Sequence, residues 1–158
     1  MSILDKYLLM RPSTRGIIEW FLLFFSGWSS YFTSALILPF RFHLFILGCA
    51  LFVLGFAIHG MSHRVHKQAH SKAENIERVV TEGIYSKIRH PGYLGLILAY
   101  LGASLWFGSV LPIVVAIVLS TFLVLTALKE EESLLRKFGK EYEEYMRRVP
   151  WRFIPKVF

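Results

Sequence analysis

The segment Gly83 to Tyr93 combines side chains and backbone features that could bind an anion. Pro91 restricts His90 to extended geometry and suits the first turn of a helix, so we expect a helix to begin here. Free N–H groups at a helix start attract anions, and Arg89 adds forked donors beside them. The segment therefore predicts a site for a carboxylate or phosphate, although interfacial snorkelling of Arg89 and His90 would explain the same residues equally well.

A second group of polar residues, Lys129 to Gly139, follows a long apolar stretch. Acidic side chains so close to hydrocarbon are costly unless they are paired or solvated, which makes Glu130 and Glu131 candidates for a functional site. Glu132 and Arg136 are four residues apart, and we expect an ordinary surface ion pair on a helix for these two. The spacing does not decide between Glu130 and Glu131.

Four histidines, His59, His63, His66 and His70, recur at intervals of four, three and four residues. All four could line one helical face, as the ligands of a membrane di-iron oxygenase do. The carboxylates lie far away in the sequence, however, and no two histidines are adjacent. We therefore expect no metal site and interpret the run as a helix end exposed to the cytoplasm.

The elements that would position these groups are long and apolar. The chain has 158 residues, of which 54% are hydrophobic and only 18% charged, a balance typical of membrane proteins. We expect a single all-α membrane domain, residues 1–158, because four apolar stretches approach the roughly 20 residues that cross a bilayer. The expected spans are residues 16–38, 42–60, 92–107 and 109–128, with a loop at 61–91 and a tail at 129–158.

Positive charge is distributed unevenly along the chain. Of the 18 Lys and Arg residues, only Arg41 lies outside the N-terminal segment, the loop 61–91 and the tail. By the positive-inside rule, both termini and this loop face the cytoplasm. The net charge of +7 then reflects orientation and lipid headgroups rather than nucleic acid, for which no binding module is recognisable. The single cysteine, Cys49, excludes an intrachain disulfide and a thiolate metal cluster.

The connection between the last two spans, around Gly108 and Ser109, is too short for a folded loop, so we expect a hairpin of antiparallel helices. In the tail, a helical apolar period runs to Phe138, stops at Gly139 and resumes until Pro150. We expect two short amphipathic helices there, lying against the headgroup layer and covering the site.

Taken in order, these motifs resemble those of the isoprenylcysteine carboxyl methyltransferase and phospholipid methyltransferase superfamily of small integral membrane enzymes. The similarity covers about the second half of the chain, from Val80 to Pro155, and the first two spans carry no recognisable motif. Several elements in fixed order on either side of a helical hairpin are more specific than a single Arg-His-Pro. The residues that carry the resemblance are Gly83, Ile84, Tyr85, Arg89, His90, Pro91, Tyr93, Gly95, Glu130, Glu131, Leu134, Phe138, Gly139, Tyr142, Tyr145, Val149, Pro150, Ile154 and Pro155.

The resemblance implies methyl transfer from S-adenosylmethionine to a lipophilic acceptor, in a site between the cytoplasmic ends of spans three and four. The cofactor is held without a Rossmann domain, and no metal is needed. Glu130 or Glu131 would bind a cofactor hydroxyl or amino group, Arg136 would face the substrate, and two tyrosines of the tail would close over the adenosine. The implied cofactor-binding residues are Gly83, Tyr85, Arg89, His90, Pro91, Tyr93, Glu130, Tyr142 and Tyr145, and the implied catalytic residues are Glu130, Glu131 and Arg136.

The acceptor is left open by the sequence, and so is the oligomeric state. A prenylated cysteine carboxylate, a phospholipid head group, an isoprenoid or a small thiol would each suit an apolar pocket beside a polar site. A carboxylate acceptor needs no base, whereas an amine or thiol needs a proton acceptor such as Glu131 or His90. Two other functions compete: an NADPH-dependent membrane reductase of the sterol reductase type, whose C-terminal pattern is similar, and a non-enzymatic membrane scaffold.

Overall fold

The computed structural model describes residues 3–8, 10–33, 36–65 and 76–157. Within these ranges the chain is helical, and β-structure is limited to one isolated bridge between Ile37 and Ser109. The prediction of an all-α fold is confirmed. The helices are α1 (Ile3–Leu8), α2 (Pro12–Thr33), α3 (Arg41–Val65), α4 (Pro91–Leu105), α5 (Val110–Phe138) and α6 (Lys140–Arg148), with a short 3₁₀ helix at Gly83–Ser86.

The four long helices coincide with the four expected spans, but their ends differ. α2 begins at Pro12, whereas α3 continues to Val65 and α5 to Phe138, beyond the expected ends at residues 60 and 128. α5 has 29 residues, which at 1.5 Å per residue give a length of about 43 Å, more than the roughly 30 Å of hydrocarbon in a bilayer. A helix of this length exceeds what the hydrocarbon requires, and we expect its last turns, which carry the carboxylates, to be the part that extends beyond it.

The first of the two expected tail helices is not a separate element. α5 runs without a break through the acidic residues, and Gly139 ends it with a φ of 53° while its N–H bonds the Leu135 carbonyl. A left-handed φ of this kind is adopted readily only by glycine. The second expected helix is α6, and it folds back onto α5 because Leu134 packs with Tyr142 and Tyr145 in a buried cluster.

Small residues allow α3 and α4 to approach closely. A Cβ atom added at Gly55 would lie 2.5 Å from the Gly95 carbonyl oxygen, and one at Gly95 would lie 2.6 Å from the Gly55 oxygen. Gly48 and Gly102 form a second reciprocal pair, with both distances at 2.6 Å. Helices in lipid commonly associate through such small residues, because no hydrophobic force brings them together there. The two pairs hold α4 against α3 along most of its length.

The outer surface of the bundle is apolar. α3 and α5 are long and apolar enough to cross a membrane, and α4 is apolar but has only 15 residues. Large exposed apolar side chains in such numbers indicate contact with lipid or another apolar phase rather than with water. The number of helices that span the bilayer stays a prediction. On α2 the exposed apolar face is formed by Ile17, Phe21, Phe25, Trp28 and Phe32.

Backbone hydrogen bonds join two connections at one end of the bundle. Leu38 N–H bonds the Gly108 carbonyl at 2.9 Å, and Val110 N–H bonds the Leu36 carbonyl at 3.1 Å. The α2–α3 and α4–α5 connections therefore lie side by side. The start of α2, the end of α3, the start of α4 and the end of α5 meet at the opposite end, which holds the residues with the expected chemistry.

Candidate active site at the start of α4 and the end of α5

Glu131 is bound by three cationic or proton-donating side chains. Its Oε1 accepts hydrogen bonds from Arg89 Nε at 2.8 Å and His90 Nε2 at 3.0 Å, and its Oε2 accepts one from Arg152 Nε at 3.0 Å. Glu131, Arg89 and His90 are all buried. We call these four residues the carboxylate clamp. The clamp joins the start of α4, the end of α5 and the segment after α6.

The C-terminal segment is held to the same place by the backbone. Arg89 N–H bonds the Trp151 carbonyl and His90 N–H bonds the Arg152 carbonyl, each at 2.9 Å. Arg89 Nη1 also bonds the carbonyls of Val149 and Pro150, at 2.9 and 3.0 Å. Pro91 occupies the first turn of α4, as expected from the sequence, and is buried. The Arg-His-Pro motif is therefore a structural junction as well as a candidate ligand site.

The charge of Glu131 is strongly favoured. Burial alone would raise its pKa, but the hydrogen bonds and positive charge that His90 and Arg89 contribute outweigh burial and lower the pKa from 4.5 to about 2. Glu131 is therefore ionised at every physiological pH. A carboxylate with so low a pKa is a poor base, because its protonated form is strongly disfavoured.

A cavity of about 540 Å³ lies beside the clamp, within the range of roughly 300–1,000 Å³ that is usual for small-molecule sites. Its polar end is lined by Glu130 and by the clamp residues Arg89 and His90. Its other end reaches between the helices of the bundle, where apolar residues surround the buried side chains of Arg15 and Glu19. The apolar lining of this end includes Trp20, Phe56 and Leu96.

The structure separates the residues expected in a site into three groups. Seven of them line the cavity. Glu131, Gly83 and Pro91 do not line it: Glu131 holds the clamp, and the other two lie at turns of the backbone that lead to the clamp. Arg136 is exposed, lies outside the cavity and donates to Ser133 Oγ at 3.3 Å, not to Glu132. The seven lining residues are Tyr85, Arg89, His90, Tyr93, Glu130, Tyr142 and Tyr145.

The tyrosines at the polar end act as neutral donors. Tyr145 O–H donates to the Tyr85 carbonyl at 2.9 Å, and the Tyr85 and Ser62 hydroxyls share a hydrogen bond of 2.8 Å. Burial raises the pKa of Tyr85 to about 12 and raises those of Tyr142 and Tyr145 further. None of these three hydroxyls ionises at physiological pH, so they offer aromatic faces and hydrogen bonds to a ligand but no base.

Two residues of the histidine run face the cavity. His59 Nδ1 lies 3.0 Å from the Gly92 carbonyl, and His59 Nε2 lies 2.8 Å from His63 Nε2. Because a carbonyl only accepts, Nδ1 of a neutral His59 carries the proton, and His63 donates to its Nε2. His59 and His63, in the last turns of α3, therefore form part of the cavity wall. His66 and His70 lie outside the described residues.

A polar network on α2 was missed by the sequence interpretation. Glu19 accepts hydrogen bonds from the hydroxyls of Tyr7 and Tyr100, both at 2.7 Å, and Arg15 Nη1 donates to Thr126 Oγ1 at 2.7 Å. Arg15 and Glu19 are 2% and 1% exposed, and both line the cavity. The available signal was an acid within an apolar stretch and an arginine four residues before it, since ionisable residues at such depth are rarely incidental.

Comparison with known proteins gives relatives of two kinds. A protein-S-isoprenylcysteine O-methyltransferase of Schizosaccharomyces pombe is 36% identical over 81 residues, which cover 51% of this chain and 34% of that protein. Protein-S-isoprenylcysteine O-methyltransferase B of Arabidopsis thaliana is 34% identical over 80 residues, covering 50% of this chain and 41% of the relative. A delta(14)-sterol reductase of Mus musculus is 34% identical over 83 residues, covering 51% and 20%. The chain thus spans less than half the length of each relative.

The family model for phospholipid methyltransferases matches residues 43–141. That segment begins in α3, contains α4 and α5 and ends in α6, so it holds Arg89, His90 and Glu131 of the clamp together with Glu130. α2 lies outside it. The match covers more than half of the chain, and it confirms the resemblance that the ordered motifs indicated. This protein is a membrane protein of the phospholipid methyltransferase family, in the superfamily that includes the isoprenylcysteine methyltransferases.

Proposed function

We propose that the protein transfers a methyl group from S-adenosylmethionine to a lipophilic acceptor at the cytoplasmic membrane face. The observation that carries this proposal is a single cavity whose polar end lies at the clamp and whose apolar end lies between membrane helices. A water-soluble donor and a lipid-phase acceptor need such a junction in order to meet. The chain's membership of a methyltransferase family supports the reaction type.

The residues at the polar end fit the chemical groups of S-adenosylmethionine. Arg89 uses Nε and Nη1 within the protein, and Nη2 has no hydrogen-bond partner among the described residues, so it would be available to the cofactor carboxylate. Glu130 faces the cavity and would take the amino group or the ribose hydroxyls. Tyr142 and Tyr145 would pack on the purine ring, because both line the cavity from α6.

The bound cofactor would supply an electrophilic methyl group on a positively charged sulfur. The protein's contribution is then positioning, which can be worth several kcal/mol by itself, together with exclusion of water by the buried cluster of α6. A carboxylate acceptor would need no base. For an amine or thiol acceptor, Glu130 would be the proton acceptor, because it is the carboxylate that lines the polar end of the cavity, whereas Glu131 and His90 are already bound to each other.

The cytoplasmic orientation rests on the charge distribution. The residues that cluster at the clamp end of the bundle belong to the N-terminal segment, the loop before α4 and the tail, and these carry all the Lys and Arg except Arg41. Positive charge of this kind is retained on the cytoplasmic side. The cofactor would enter from that side and the acceptor from the bilayer.

The proposal is tested by ligand-dependent melting of the purified protein in detergent. A ligand at one hundred times its dissociation constant stabilises a protein by about 2.7 kcal/mol, a shift of roughly 5–10 °C for a chain of this size. We expect such a shift with S-adenosylhomocysteine and none with NADPH. A shift with NADPH alone would refute methyl transfer, and no shift with either ligand would indicate a scaffold.

The sterol reductase relative makes reduction the second candidate. The same family segment would then hold a nicotinamide cofactor at the clamp. The NADPH arm of the melting experiment decides between the two reactions, because the two cofactors share the adenosine but not the reactive group.

A further inference from the structure

In the part of the chain that the structure describes, Arg15 leaves one buried donor of the α2 network without a hydrogen bond. A guanidinium has five N–H donors, and Thr126 takes one from Arg15. Arg15 Nε lies 3.4 Å from Glu19 Oε1, yet it is buried and has no hydrogen-bond partner among the described residues. Both oxygens of Glu19 already accept a tyrosine hydroxyl at 2.7 Å. Buried donors left unfilled cost free energy, so a ligand acceptor is expected at this place.

The network lies deeper in the bundle than the clamp. Thr126, the partner of Arg15, precedes Glu131 by five residues on α5, which corresponds to roughly 8 Å of helix. Tyr100, the partner of Glu19, follows Pro91 by nine residues on α4, or roughly 14 Å. Arg15 nevertheless adjoins the polar end of the cavity. Thr126 and Glu130 are four residues apart on one face of α5, and the Tyr93 side chain interacts with both Arg15 and Glu130.

We propose that Arg15 binds the anionic group of the methyl acceptor, a carboxylate or a phosphate, on the side of the cavity that α2 forms. The inference rests on the proposed function and adds a residue that selects the acceptor. α2 lies outside residues 43–141, the segment matched by the family model, so Arg15 is not part of the motifs that would hold a shared cofactor. Its guanidinium can bind either anion through two parallel hydrogen bonds.

The test uses two pairs of probes, each with an anion and a counterpart without it. The carboxylate pair is N-acetyl-S-farnesylcysteine and its carboxamide, and the phosphate pair is dihexanoylphosphatidylethanolamine and dihexanoylglycerol. Binding is measured by melting of the purified full chain in detergent, with S-adenosylhomocysteine measured separately. Arg11→Gln is the matched control, because Arg11 is an exposed arginine one turn before Arg15 and outside the cavity.

We expect one anionic probe to stabilise the wild type and Arg11→Gln, and its counterpart to have no effect. Arg15→Gln should raise the dissociation constant of that probe by about tenfold to a hundredfold, the value of one charge-assisted hydrogen bond. Affinity for S-adenosylhomocysteine should stay within about twofold, a change of less than 0.5 kcal/mol. The probe that binds identifies the anion as carboxylate or phosphate. The double variant Arg15→Gln with Glu19→Gln removes both charges. If the single variant does not fold, probe affinity is compared between the wild type and this double variant.

Equal probe affinity in the wild type and in the folded Arg15 variant would overturn the inference. So would equal binding of the uncharged counterparts, or a wild type that binds S-adenosylhomocysteine and neither anionic probe. A variant that loses S-adenosylhomocysteine while keeping the probe would place Arg15 in the cofactor site instead. A wild type that does not respond to S-adenosylhomocysteine would refute the proposed function itself.

Discussion

Replacing Glu131 with glutamine removes the charge that holds the clamp together. The amide side chain of the Glu131→Gln variant keeps one acceptor oxygen but presents an NH₂ group to Arg89 and His90 or to Arg152, which are themselves donors. Leaving a buried cation without its partner costs about 3–5 kcal/mol. A second estimate comes from the pKa of Glu131, which is lowered from 4.5 to about 2. At 1.36 kcal/mol per pKa unit, the native environment contributes about 3 kcal/mol.

The same pKa fixes the direction of the pH dependence. The folded-state pKa of Glu131 lies below its unfolded value, so this contribution is fully present above about pH 4.5 and is lost as the pH falls towards 2. Linkage predicts that about 2 kcal/mol has disappeared at pH 3, which corresponds to roughly 4–8 °C in melting temperature. Glu131→Gln should melt well below the wild type at pH 7 and should lack this acid-dependent component.

The assay is melting of wild type and variant between pH 7 and pH 3 in one detergent. Glu132→Gln is the matched control, because Glu132 is the next residue on α5 and is exposed, and surface changes of this kind usually stay within about 0.5 kcal/mol. The reasoning fails if Glu131→Gln melts like the wild type at pH 7, or if its acid-dependent loss equals that of the wild type.

Three further predictions concern the cofactor site, helix packing and orientation. Glu130→Gln should weaken S-adenosylhomocysteine binding by about tenfold to a hundredfold in calorimetric titration without lowering the melting temperature, because Glu130 faces the cavity and Glu131 holds the clamp. Gly55→Ala should lower the free energy of unfolding by about 1–3 kcal/mol, whereas Gly60→Ala on the same helix, with nothing within 4 Å of an added Cβ, should not. In a Cys49→Ala background, Arg148→Cys should react with an impermeant thiol reagent only from the cytoplasmic side and Arg41→Cys only from the other side; the opposite pattern would reverse the orientation.

The sequence predicts which residues form the site, but it does not predict which of them line the cavity and which hold the clamp. The ordered motifs predicted that Arg89, His90, Glu130 and Tyr142 lie close together, and all four line the cavity. Neighbouring residues on a helix point about 100° apart, so only the orientation of α5 decides that Glu130 faces the cavity and Glu131 the clamp. The same orientation leaves Arg136 exposed. The geometry therefore does not support the expected contact between Arg136 and the substrate.

The sequence by itself determined the all-α fold, the four long apolar helices and the concentration of charge at one end. These follow from local quantities: hydrophobic length, helical period and the positions of Pro91 and Gly139. Only the tertiary structure decided which polar groups meet. The Arg15–Glu19 network depends on contacts from α2 to α4 and α5 across more than 80 residues, and the close α3–α4 contact depends on which faces carry the glycines. Contacts of that kind are set by helix rotation and packing, which no local sequence pattern specifies.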